Sequence, residues 1–445
     1  MPADVTRSSP KPDTPKRCGN TCQTGQDGAS VPLQGYVAIV DAYTPTRRMA
    51  PRFREAGYGC VRVQSTADVP KMYRTPFDMS DFAADIVHDG RLEETLRRLQ
   101  EFDPVAVVAG GEIGVEFADL LSERLGLATN GTALSAARRD KYTMIEAVRA
   151  AGLRAPEQIR VTEADQLRNW HQRTTGKVVL KPARSAASEG IHFCDSPDES
   201  VAAFRRVHNQ HNIFSTKNES IVAQRYIVGT EYIVNTVSRA GRHHVCDIWR
   251  TTRVSVNGIL DLLASLYILP RRGDVQDNLV AYAFQVLDAV GIRYGAAHIE
   301  IKMTPEGPCL IEVGARIGGG DNPYYAELAT GESQLGWVVD AYLRPDRFER
   351  RYTRDYEITH YVASVPMLSP YEGTLASYPF MKVVEDLPSL HDIRISVHPG
   401  EPIRRSVDDM TYPVIVNLRH EVEEIVMRDM HTLRFLDGHA FYEVA

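Results

Sequence analysis

The stretch AAHIEIKMTPEGPCLIEVGARIGGG, residues 296–320, constrains the fold more than any other part of the chain. Pro and Gly in TPEGP supply the backbone geometry of a short connection, so the alternating runs around it predict a β-hairpin turning at residues 304–308. Met303 then opposes Cys309, Ile301 opposes Ile311 and Ile299 opposes Val313, a wholly apolar face that requires a core beneath it. The other face sets His298 across from Gly314 and Glu300 across from Glu312, with Arg316 beyond. Like charges directly opposed on a ladder cost roughly 0.2–1 kcal/mol. One compensation is solvent, or pairing with Arg316 and Lys302; the other is a divalent cation between the carboxylates, shared with substrate phosphates. A magnesium site of that kind predicts a nucleotide, and a cradle for it elsewhere.

Upstream segments offer parts of such a cradle. Residues 135–152 read as one helix with an apolar side, ending at Gly152, in which Asp140 and Lys141 begin the second half. Residues 176–194 read as a strand ending at Lys181, a loop of small residues that includes Ser185 and Ser188, and a second strand. Backbone N–H groups of such a loop can approach phosphate oxygens, although the spacing is not that of a P-loop, and a plain surface hairpin tip has the same composition. Residues 220–237 offer two strands joined through residues 226–230. That linker, with Gln224, Arg225, Tyr226 and Ile227, can present backbone groups to an adenine edge, while Glu231 reaches ribose hydroxyls.

The 445-residue chain carries ordinary proportions of apolar and charged residues for a soluble enzyme of two to four packed units. A net charge of −7 excludes nucleic acid as a main partner, and nothing resembles a membrane span. Six scattered cysteines read as reduced, and the protein as cytoplasmic; Cys18 and Cys22 fall in residues 1–34, whose composition predicts a disordered tail. From Gly35, strands alternating with helices predict a parallel sheet wrapped on both faces, over residues 35–130. Gly110, Gly111 and Gly114 follow the strand PVAVVAG without dinucleotide spacing, so a substrate-facing loop is expected, with Glu112 and Glu116 able to meet an ammonium group or Glu116 facing solvent. Further substrate candidates are Asp247, Trp249, Arg250, Gly318 and Gly319. Residues 351–445 read as a small α+β subdomain.

In order, the chain presents D-K-x-x-M at Asp140, the strand-end Lys181 with its loop, the linker 224–231, and H-I-E…I-E-V-G-A-R at the hairpin. Together these resemble the ATP-grasp superfamily of carboxylate–amine ligases, most of all the L-amino acid ligases that make dipeptides. The resemblance implies an α/β and α+β multidomain chain: an N-terminal doubly wound pre-ATP-grasp sheet, an ATP-grasp unit at 131–350 with a lid at about 150–225, and the C-terminal α+β subdomain. It implies that Lys141 and Lys181 contact ATP phosphates, that residues 224–227 hold adenine and Glu231 ribose, and that Glu300 and Glu312 hold Mg²⁺, with Mn²⁺ a second candidate. Arg316 would stabilise the transferring phosphoryl group, and loop 184–190 would close over the intermediate. The implied reaction joins an amino-acid carboxylate to an amine through an acyl phosphate; a homodimer is common among such proteins. One departure is Gly314, where these ligases usually carry Asn. Two other readings stay open: a carboxylase-like or D-alanine ligase-like enzyme, and a nucleotide-binding module without turnover.

Overall fold

The computed structural model describes residues 23–24, 30–31, 33–43, 46–70, 73, 78–438 and 441–445. Residues 1–22, with Cys18 and Cys22 and most of the expected tail, lie outside them; within the tail, β1 (Gln23–Thr24) pairs with β2 (Ser30–Val31). Among the described residues no helix is long and apolar enough to cross a membrane.

The N-terminal layer is a four-stranded parallel sheet in the order β5-β4-β3-β6, built from β3 (Tyr36–Val40), β4 (Gly59–Gln64), β5 (Ala84–Val87) and β6 (Pro104–Ala109). Their side chains are mostly apolar on both faces, as a sheet covered twice requires, with Arg62 and Gln64 of β4 donating to Asp85 of β5. Helix α1 (Met49–Glu55) covers one face through Met49 and Phe53, while α2 (Leu92–Gln100) and α3 (Val115–Arg124) cover the other. Strand β5 was not anticipated, because ADIV is too short to stand out as an apolar run.

The expected single helix over 135–152 is two. A 3₁₀ turn at Ser135–Arg138 ends before Asp140, whose carboxylate accepts from Thr143 N (2.9 Å) and starts α4 (Lys141–Ala150) afresh. The break places Lys141 in the first turn, where its side chain leaves the helix inward. A second sheet follows, in the order β7-β10-β8-β9, from β7 (Gln158–Val161), β8 (Val178–Pro182), β9 (His192–Cys194) and β10 (Ile221–Arg225), covered by α5 (Ala164–Arg173) and α6 (Pro197–Val207).

The remainder is organised by one eight-stranded antiparallel sheet in the order β15-β14-β11-β12-β13-β16-β20-β18. Strands β11 (Thr230–Arg239), β12 (Arg242–Val256) and β13 (Ile259–Ile268) form a meander, and α7 (Asp274–Ala289) leads into the hairpin β14 (Gly295–Thr304) and β15 (Gly307–Gly314). Helices α8 (Asn322–Thr330), α9 (Gln334–Leu343) and α10 (Pro345–Arg351) return the chain to the far side. The C-terminal residues, expected as a small α+β subdomain, add β16 (Tyr361–Met367), β18 (Leu390–Ile395) and β20 (Val414–His420) to this same sheet. A small sheet of β17 (Gly373–Ser377), β19 (Pro402–Ile403) and β21 (Glu443–Val444), with α11 (Met381–Glu385) and α12 (Glu423–Leu436), packs beside it.

The hairpin itself keeps the anticipated pairs His298–Gly314, Ile299–Val313 and Glu300–Glu312. A bulge after Glu300 then shifts the ladder by one residue, so Ile301 opposes Leu310 and Met303 opposes Pro308, around a two-residue turn at Pro305 and Glu306. The extra residue has a use. Leu310 enters the core in place of Ile311, which is left half-buried on the cavity side, the re-aiming that bulges beside active sites accomplish.

Arg138 fixes the segment that carries Lys141. Fully buried, it donates to Asp119 Oδ2 of α3 (2.8 and 3.1 Å) and to the carbonyl of Val290 after α7 (3.0 Å). Arg138→Ala strands Asp119 without its cation, a change that costs about 3–5 kcal/mol. The urea midpoint followed by circular dichroism is expected to fall accordingly; an unchanged midpoint contradicts this role.

Candidate active site

On the polar face of the hairpin the two glutamates are flanked by cations from three other segments. Lys141 Nζ reaches Glu312 Oε1 (2.8 Å) and the carbonyl of Ser185 (2.8 Å). Lys181, buried at the end of β8, points its ammonium at the carbonyl of Ile311 (3.5 Å). His298 Nε2 lies 3.5 Å from Glu300, and its Nδ1 is 2.8 Å from Asn235 Oδ1. Burial pushes the Glu300 carboxyl up, but His298, Arg253 and Lys141 outweigh it and hold the group well below the usual carboxylate range. Burial lowers Lys181 to about 8, against the upward pull of Glu312 and Glu300.

These side chains border a cavity of about 180 Å³ between the four-stranded β7–β10 sheet and the central sheet. Apolar residues line it from both sides, Val179, Ile191 and Phe193 from the former and Leu260, Leu262 and Ile311 from the latter. The connection from β10 to β11 crosses its end, so residues 224–227 join two different sheets rather than turning a hairpin. Gln224 is held by Gln158 (2.9 Å), and Tyr226 donates to Asp261 (2.8 Å), which also accepts from Lys302 (2.7 Å). Glu231 is buried, and Arg253 donates to its Oε1 from Nε (3.0 Å) and Nη2. Burial lifts the Glu231 carboxyl above its usual range even with that partner.

A second cavity, of about 370 Å³, opens on the other side of Glu300, His298, Arg253 and Arg316, which line both. Its walls include Tyr43 and Tyr73 of the N-terminal layer, the glycine run 318–320, and Arg394, Asp409 and Tyr412 from the C-terminal strands and loop. Gly318 N is anchored by Gln334 Oε1 (2.8 Å), whose Nε2 bonds carbonyls of β11 and β14. Loop 184–190 closes over the junction. Arg184 makes two hydrogen bonds to Glu116 (2.8 and 2.9 Å), and Ser188 donates to Asp409 (3.3 Å). Ala187 and Ser188 both hold positive φ (57° and 59°), at about 1–2 kcal/mol each.

Several expectations about single residues are corrected. Glu112 does line the second cavity, but it is already paired there, buried between Arg139 and Arg316 (Nε, 2.7 Å). Burial pushes its carboxyl up, but the two guanidiniums win and hold it at about 2. Neither Arg316 nor Lys302 neutralises Glu300 or Glu312 by direct pairing, since their partners are Glu112 and Asp261. Asp247, Trp249 and Arg250 line neither cavity. Helix α8 covers Trp249 through Tyr325, Ala326 and Ala329; Asp247 is buried against Asn235 and Trp249 Nε1 (2.6 Å), and Arg250 points to solvent from the opposite face. Gly318 and Gly319 do line the second cavity, and Ser185, Ser188, Arg225, Tyr226 and Ile227 the first. Arg253, Asp261, Asn235, Arg394 and Asp409 are not among the expected site residues; their partners there include residues 12 to 221 positions away in the chain.

Gly314 has a spatial explanation. A Cβ there would sit 3.2 Å from Glu112 Oε2 and 3.3 Å from Arg316 Cζ, so the ion pair fills the space an Asn would need. Among the described residues no cluster of three or more His, Cys, Asp or Glu is placed to hold a metal alone. Two facing carboxylates suit an Mg²⁺ ion that takes its other ligands from phosphates and water.

A sequence model of the ATP-grasp domain matches residues 175–323. Dapdiamide A synthase of Enterobacter agglomerans is 32% identical over 390 residues, covering 86% of this chain and 91% of that protein. The chain belongs to the ATP-grasp carboxylate–amine ligases. Alanine–anticapsin ligase of Bacillus subtilis strain 168 is 22% identical over 247 residues, about half of each chain. The L-amino acid ligase of Bacillus licheniformis superposes with a TM-score of 0.72 at 18% identity, over 93% of this chain and 100% of that one, and shares the fold. This ATP-grasp protein is therefore an ATP-dependent ligase that forms carbon–nitrogen bonds.

Lys181 gives the ligase a pH signature. Its pKa of about 8 lies below the ordinary lysine value near 10.4, so between those values the unfolded chain binds the extra proton and this group makes stability rise with pH. A phosphate contact at Lys181, the role the resemblance implies, would run the other way, because it needs the charged lysine. Isothermal titration from pH 7 to 9.5 is expected to show ATP affinity falling above about pH 8, and Lys181→Arg to remove the fall.

Proposed function

We propose that the first cavity holds ATP and the second the substrates, with the reacting carboxylate at the wall they share. The observation that carries this reading is that Glu300, Arg316, His298 and Arg253 line both cavities at once. Adenine lies between the apolar residues of the two sheets, against the linker 224–227; the free Oε2 of Glu231 faces ribose, and Lys141 and Lys181 face the phosphates. Glu300 and Glu312 would hold Mg²⁺, which neutralises phosphate charge when bound; Mn²⁺ fits the same oxygen donors. Lys141 then exchanges its bond to Glu312 for one to phosphate.

An oxygen of the donor carboxylate attacks the γ-phosphorus; the bond to the β,γ-bridging oxygen breaks, giving ADP and an acyl phosphate. The amine of the acceptor attacks the acyl carbon, the C–N bond forms, the C–O bond to phosphate breaks, and a proton leaves the nitrogen. Arg316 is aimed by Glu112 and supplies positive charge where the phosphoryl and carbonyl oxygens carry it. Loop 184–190, tied to Glu116 and Asp409, keeps water from the acyl phosphate. The names of the relatives, an L-amino acid ligase and an alanine ligase, support an amino acid as one substrate.

Purified protein with ATP, Mg²⁺ and paired L-amino acids is expected to release ADP and phosphate in equal amounts, and hydroxylamine to trap the acyl phosphate as a hydroxamate. Release of AMP and pyrophosphate, or stimulation only by bicarbonate or D-amino acids, defeats the proposal. Glu312→Gln is expected to lower turnover by at least a hundredfold with an unchanged circular dichroism spectrum; near-normal turnover removes it from the metal site.

A further inference from the structure

The three arginines that line the second cavity differ in one respect. Arg316 pairs with Glu112 and Arg253 with Glu231, whereas Arg394 has no carboxylate within ion-pair distance among the described residues. Its Nε is buried without a hydrogen-bond partner, and its closest polar contact is a long one, Nη2 to the carbonyl of Gly320 (3.5 Å). Tyr325 supports the guanidinium with its ring at 5.7 Å. A buried guanidinium nitrogen left unpaired is costly, and the cost is recovered when an anion occupies the cavity.

We infer that Arg394 binds the free carboxylate of the amine-bearing substrate, so that the acceptor is an α-amino acid and the product retains that carboxylate. The inference rests on the ligase reading of the two cavities. Arg394 lines the second cavity and not the nucleotide cavity, so the carboxylate it holds is not the one being phosphorylated beside Arg316.

Arg394 and the glycine run share one wall of the second cavity. The guanidinium touches Gly320 at one end of the glycine run, and a Cβ on Gly318 at the other end would lie 3.3 Å from His298 Nδ1. Glu300 and His298 line the same cavity as Arg394 and the glycine run, so a substrate held by its carboxylate at Arg394 has its amine in the compartment that Glu300 borders. The sheet makes this possible: Leu266 pairs with Ser364, and Ile415 with both Pro366 and Arg394, which carries the cavity wall across to the last strand.

The test compares each of the twenty L-amino acids with its carboxamide as acceptor, in the presence of ATP and Mg²⁺, by phosphate release and product mass. The wild type is expected to prefer the amino acid by about tenfold to a hundredfold in kcat/KM, the range of one charge-assisted contact. Arg394→Gln should abolish that preference through the acceptor KM while leaving the KM for ATP within twofold, and Arg394→Lys should restore part of it. Equal use of amides by the wild type, or an Arg394→Gln variant that keeps the preference or raises the donor KM instead, overturns the inference. Absence of phosphate release with every pair defeats the ligase reading separately. In that event thermal shifts of the ADP- and Mg²⁺-loaded protein decide on Arg394: amino acids should stabilise it more than their amides, and only while Arg394 is present.

Discussion

Repulsion among carboxylates is the constraint that the rest of the site answers. Glu300 and Glu312 face each other across a ladder, Glu231 lies two positions along the neighbouring strand pair, and Asp409 approaches from the C-terminal loop. Such a group folds only if cations are delivered to it, and each cation arrives on a different element. Lys141 comes from the first turn of α4, Lys181 from the end of β8, and Arg253 from β12. The restart of the helix at Asp140, which local periodicity hid, is what sends Lys141 inward.

The parts legible in the sequence were the ones with a local pattern. Alternation exposed the opposed glutamates, strand-end placement exposed Lys181, and small residues marked the loop over the junction. The misplaced candidates share a physical cause. Alternation says which residues share a face of a strand but not what covers that face, so Trp249, on the same face as Glu300, could not be distinguished from a cavity residue until α8 was seen above it. Glu112 does line the second cavity, but its enclosure by Arg139 and Arg316 left no local sign, because both arginines are distant from it in the chain. The bulge after Glu300 left no sign either, since a one-residue slip preserves the composition of both strands.

Gly314 shows how one substitution of side chain for space reorganises a site. Where relatives of this superfamily are expected to offer an amide oxygen, this chain offers room, and the room is taken by an ion pair that aims Arg316. Metal coordination and arginine positioning thus compete for the same volume beside the hairpin. Here the arginine has it, and the proposed Mg²⁺ would take more of its ligands from water and phosphate.

The single eight-stranded sheet separates two kinds of demand by distance. Strands β14, β15 and β11 carry Glu300, Glu312 and Glu231, and among the described residues the last strand, β18, is bonded on one side only, to β20. An edge strand accepts substitutions, bulges and changes of length without disturbing a ladder on its other side. On the proposed placement of the substrates, selection for a new acceptor can therefore work on β18 and the loops beside it without touching the hairpin carboxylates at the opposite end, which makes this edge the evolvable margin of the enzyme.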